Sequence, residues 1–82
     1  MSFTNRSGKF DYAAFVGSLA DNCNPGDILS PRCSRETYNH GNQDNLDTAN
    51  KKLRFAFETR LANRSEFKRK RSDAGGYEYL RL

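Results

Sequence analysis

Apolar residues return at three- and four-residue steps between positions 46 and 62: Leu46, Ala49, Leu53, Ala56, Phe57 and Leu61 gather on one side of a helix. That stripe is expected to be core. Asp44 or Asn45 can cap the start, Asp47 suits the positive end of the helix dipole, and Arg60 with Arg64 suits the negative end. Asn63 can close the helix in the left-handed conformation. At about 100° per residue Phe55 falls opposite the stripe, among Thr48, Lys51 and Thr59, so it either packs under the N-terminal segment or stands exposed.

A second pattern follows at once. Phe67-Lys68-Arg69-Lys70-Arg71 and Tyr77-Glu78-Tyr79-Leu80-Arg81-Leu82 flank Ser72-Asp73-Ala74-Gly75-Gly76, so residues 66–82 read as a β-hairpin. A turn centred on Ala74-Gly75 sets Phe67 opposite Leu82, Arg69 opposite Leu80 and Arg71 opposite Glu78, a face that can close the core. Lys68, Lys70, Tyr77, Tyr79 and Arg81 then face water, and a slip of one residue would exchange the two sets.

Upstream, Tyr12, Phe15, Val16, Leu19 and Ala20 follow the helical step over 11–22, with Asp11 as cap and Asn22-Cys23-Asn24-Pro25-Gly26 as terminator. Asp27-Ile28-Leu29 can form a short strand. Ser30-Pro31-Arg32 resembles a helix opening, Ser as cap and Pro in the first turn, with the helix continuing to about Tyr38. Residues 39–45 are a polar loop rich in amides. Residues 1–10 are polar and expected to be loosely held, anchored by Phe3.

Eighty-two residues allow one domain with a single small core. Mean hydropathy is low at −0.94, but six Phe and four Tyr supply large burial per position. The charge is segregated: residues 51–71 hold nine Lys or Arg against two Glu, while the rest of the chain is net acidic. Such a field suits a polyanion, although a basic face can also serve solubility alone. No apolar run reaches membrane-spanning length, so a cytoplasmic location with reduced Cys23 and Cys33 is expected.

The order helix, short strand, short helix, long helix, basic hairpin resembles a winged helix-turn-helix DNA-binding domain over residues 11–82. The resemblance rests on element order and charge placement. It implies an α+β fold, two or three helices followed by a C-terminal hairpin, with the long helix in the major groove and the hairpin against the backbone or minor groove. Carried over by position, Gln43, Asn45, Thr48, Asn50 and Lys51 would face bases. Arg32, Arg35, Lys52, Arg54, Lys68, Lys70 and Arg71 would meet phosphates. The loop before the long helix is longer than the family's tight turn, which bears on the loop residues as base readers.

Two other readings use the same residues. Tyr77 and Tyr79 beside Lys68, Lys70 and Arg81 could stack bases of RNA or single-stranded DNA. A small, charged, Asn-rich chain with a surface Phe also has the character of viral or plasmid-encoded proteins that dock on a host complex. A homodimer would draw on Phe55, Phe3 and Phe10. Catalysis is disfavoured, since the chain has one His, no Gly-rich phosphate loop and no nucleophile motif. His40 reads as a solvated loop residue or a phosphate neighbour. Ser65 and Ser72 read as ordinary loop serines, and no cofactor is implied. Cys23, Cys33 and His40 lack the spacing of a metal knuckle, and the cysteines are expected to be buried as small hydrophobes.

Overall fold

A computed structural model describes residues 3–73 and 76–82, Cys33 by its backbone only. Helix α1 spans Tyr12–Asp21, strand β1 Ile28–Leu29, a 3-10 helix Pro31–His40, helix α2 Leu46–Leu61, strand β2 Phe67–Arg71 and strand β3 Tyr77–Arg81. The fold is α+β, three helical elements beside one antiparallel sheet in the order β1-β3-β2. No helix among the described residues is long and apolar enough to cross a membrane.

The capping residues sit where the sequence puts them. Asp11 accepts the amide of Ala14, Ser30 that of Arg32, and Asn45 that of Thr48, each satisfying a donor that the first helical turn leaves open. Ala49, Leu53, Ala56, Phe57 and Leu61 of α2 are buried against Phe10, Tyr12, Phe15, Val16 and Ala20. Leu46 is the exception: at the helix's first position the stripe runs out past its packing partners, leaving that side chain 42% exposed. Among the described residues no position other than glycine has positive φ, so Asn63 does not close α2 in the left-handed region. Arg64 instead ties the end of α1 to the start of β2, its Nη2 meeting Asp21 at 3.1 Å and its Nε meeting Glu66.

Phe3 packs on Phe10 and Phe15, and a bridge between Thr4 and Phe10 closes the N-terminal loop. His40 lies against the Phe3 and Phe15 rings, with centroids 5.3 and 5.6 Å away. It is a half-buried packing residue rather than a solvated one, because the helix expected to stop near Tyr38 runs on to His40. Cys23 is free and half-buried.

The segment expected to be an α-helix is a ten-residue 3-10 helix, long for that geometry. Its buried side is made of polar residues. At three residues per turn Pro31, Ser34, Thr37 and His40 line up in one row, and all four are buried or half-buried. Thr37 accepts from Asn42 Nδ2 at 2.8 Å, Asn42 Nδ2 also meets the Tyr12 hydroxyl at 3.0 Å, and Ser34 donates to Asn50 Oδ1. This polar network docks the 3-10 helix and the following loop on α1 and α2. Gly41 ends the helix at φ 93°, a conformation that favours glycine.

The hairpin register corrects the expected one. Phe67 lies opposite Arg81, Arg69 opposite Tyr79 and Arg71 opposite Tyr77, a shift of one residue; Ala74 and Gly75, the expected turn centre, lie outside the described residues. The slip exchanges the faces of β3. Tyr79, expected in water, is 2% exposed and stacks on Phe57 at 5.7 Å, while Arg81 takes the Phe67 face and Leu82, expected to close the core opposite Phe67, is exposed. Tyr buries more apolar area than Leu80 could, which favours this face as the inner one. The Tyr79 hydroxyl meets no hydrogen-bonding partner among the described residues, and burial pushes its pKa up.

Deleting the Tyr79 ring (Tyr79→Ala) is expected to lower the unfolding free energy by about 3 to 5 kcal/mol. Deleting only the hydroxyl (Tyr79→Phe) should leave it unchanged or raise it. Urea denaturation compares the two; a large loss from Tyr79→Phe would show that the hydroxyl is bonded.

Candidate nucleic-acid interface

Three elements meet where the 3-10 helix begins. Ser30, Pro31 and Arg32 from its N-terminus, Asn50 and Arg54 from α2, and Gly76 and Tyr77 from the hairpin line a cleft of about 200 Å³. Pro at the first turn fixes the direction of the 3-10 helix, and the helical step from Asn50 to Arg54 stacks those two side chains on one flank of α2. The register of β3 turns Tyr77 inward, where Arg69 lies over its ring at 4.4 Å. Arg71 is the cross-strand partner of Tyr77 and shares that face. Arg32 Nη2 also donates to Ser72 Oγ at 3.4 Å, linking the 3-10 helix to the hairpin's loop. Among the described residues no carboxylate lines the cleft. The arrangement can offer guanidinium donors, an amide and an aromatic edge to one anionic ligand.

Other expected contacts lie elsewhere. Lys51 and Lys52 are exposed on the opposite flank of α2, beside Phe55 and Thr59. Gln43 sits with Lys52 and Asp44 near the N-terminal loop, away from the cleft. Arg35 is exposed one turn beyond Arg32 in the same row of the 3-10 helix. Lys68 and Lys70 are exposed on the outer face of the sheet with Glu78 and Leu80, so β2 splits its cations between two faces. Asn45 commits its amide oxygen to capping α2, and Asn50 accepts from Ser34. Thr48 is half-buried. Tyr79 is part of the core and presents no face for stacking, which corrects the expected Tyr77 and Tyr79 platform.

Arg69 is the residue that sequence reasoning left out. The signal was the alternation of β2: Phe67 must face the core, so Arg69 and Arg71 share its side and Lys68 and Lys70 do not.

Lys52 is paired rather than free. Its Nζ lies 3.5 Å from Asp44 Oδ2 and 5.9 Å from the centre of the Tyr12 ring. The Tyr12 hydroxyl donates to Asp44 Oδ2 at 2.7 Å; this bond, with the neighbouring Lys52 charge, holds the Asp44 carboxyl below the usual carboxylate range. Burial, reinforced by Asp44, pushes Tyr12 up to about 12. Arg64 similarly holds Glu66 low.

The chain matches no protein-family model, no curated protein and no solved structure.

Because the folded protein prefers Asp44 ionised, the unfolded chain binds more protons as acid is added. The stabilisation is complete above the ordinary Asp pKa of about 3.9 and is lost as pH falls through the lowered folded value. Urea titrations from about pH 7 down to about pH 3 should show Asp44→Asn with a flatter decline than the parent, Glu66 supplying what remains. Superimposable pH profiles would exclude the Asp44 contribution.

Proposed function

We propose that this protein is a DNA-binding regulator that engages duplex DNA in the manner of a winged helix-turn-helix domain. The observation that carries the reading is the cleft joining Arg32, Arg54 and Tyr77, in which three elements bring cations, an amide and an aromatic ring to one place without a carboxylate. The order of elements from α1 to β3 supports it, as does the concentration of Lys and Arg between residues 51 and 71. In this reading Arg32, Arg54, Arg69 and Arg71 grip the sugar-phosphate backbone. The exposed flank of α2 around Asn50 approaches the groove, Asn50 presenting the amide hydrogens left after its oxygen accepts from Ser34. Burial of Tyr79 removes the aromatic pair that a single-strand reading requires.

Arg54→Ala and Arg69→Ala are each expected to weaken binding to mixed-sequence duplexes by roughly five- to tenfold and to lower the salt slope of the affinity by about 1. Gel retardation across a salt series measures both. No retardation of any duplex at about 50 mM salt would contradict the reading.

A further inference from the structure

The flank of α2 that faces away from the arginine cleft holds a second, larger hollow. Tyr12 and Ala13 of α1 and Lys51, Lys52, Phe55, Ala56, Thr59 and Arg60 of α2 enclose about 660 Å³ of open groove. Its chemistry differs from that of the cleft. The two alanines give it a shallow apolar floor, the Tyr12 ring forms one wall, and Phe55 stands 67% exposed on the crest of α2. Phe3 and Phe10 belong to the core around α1, so among the described residues of the N-terminal segment neither aromatic ring covers Phe55. A Phe this exposed beside an apolar hollow offers a partner one continuous apolar surface to cover.

The rim is cationic. Lys51 and Arg60 make no ion pair among the described residues, Lys52 is paired with Asp44, and none of the residues that form the groove is a carboxylate. From Lys51 to Arg60 the groove follows ten residues of α2, about 14 Å at the helical rise, enough to seat two to three turns of another helix. A floor of alanines allows close approach of that helix. A second copy of this chain docked by a two-fold axis would set the same cationic rim against itself, which disfavours it as occupant.

We infer that the groove between α1 and α2 is a docking site for an acidic amphipathic helix of another protein, whose apolar face covers Phe55, Ala56 and Ala13 and whose carboxylates meet Lys51 and Arg60. The site is separate from the arginine cleft, so it equips a DNA-bound protein to hold a protein partner and stands or falls independently of the DNA reading.

The probe is a fluorescein-labelled designed peptide of about 16 residues, with Leu and Phe at helical spacing and Glu at the remaining positions; its control carries Lys for every Glu. Fluorescence anisotropy with the full chain should show saturable binding of the acidic peptide, weakening with salt, and none of the basic one. Phe55→Ser and Arg60→Glu should each reduce that affinity at least tenfold, by about the loss expected of an interface anchor, with thermal melts unchanged. Phe55→Ser should also leave duplex retardation as it is, while Arg54→Ala leaves peptide binding as it is. The inference is overturned if the acidic peptide fails to bind or both peptides bind alike. It is also overturned if Phe55→Ser alters only self-association in sedimentation, or only duplex binding.

Discussion

The stack of Tyr79 on Phe57 is the constraint from which the arrangement of the basic hairpin follows. A strand turns alternate side chains to opposite faces, so fixing one residue of β3 inward fixes all of them. With Tyr79 under α2, Tyr77 must face the helical side and Glu78 and Leu80 must face out. Pairing then carries the choice to β2: Arg69 and Arg71 share the face of Phe67, and Lys68 and Lys70 take the other. The cleft between Arg32, Arg54 and Tyr77 is therefore a consequence of where one aromatic ring is buried.

The second constraint is polar. The 3-10 helix brings almost no apolar surface to the interior, and docks through Ser34, Thr37 and the neighbouring Asn42, each buried and each hydrogen-bonded. Neutral hydrogen bonds contribute modestly to net stability, but an unmatched one in a buried network is costly, so the network specifies position more than it adds strength. That position sets Arg32 against the hairpin. The loop before α2, long for a helix-turn-helix, is shortened at its N-terminal end, since the 3-10 helix extends to His40, while Asn45 caps α2 at the other.

Legibility in the sequence tracked how strongly one physical term dominated. The long helix was readable because five of its six stripe residues bury completely or nearly so, and Asp11, Ser30 and Asn45 were readable as caps because few residue types can fill that role. The hairpin's existence was readable and its register was not: Tyr77, Tyr79 and Arg81 compete with Glu78, Leu80 and Leu82 as the inward set, and only the tertiary contact with Phe57 decides between them. The 3-10 row was hidden because its buried residues are polar, invisible to a hydrophobic pattern. For the candidate site, the charge density along residues 51–71 was apparent, but a tally of charges does not say which flank each occupies. Lys51 and Arg54 are one turn apart and border different hollows.

The most direct test is residue-level mapping of backbone amide chemical shifts by nuclear magnetic resonance as duplex DNA is added to the full chain. The account predicts that the perturbed amides cluster at Arg32, Asn50, Arg54, Arg69, Arg71 and Tyr77, with Gln43, Lys52 and Thr59 little changed. Perturbations centred on Lys52 and Thr59, or none at saturating duplex, would contradict it.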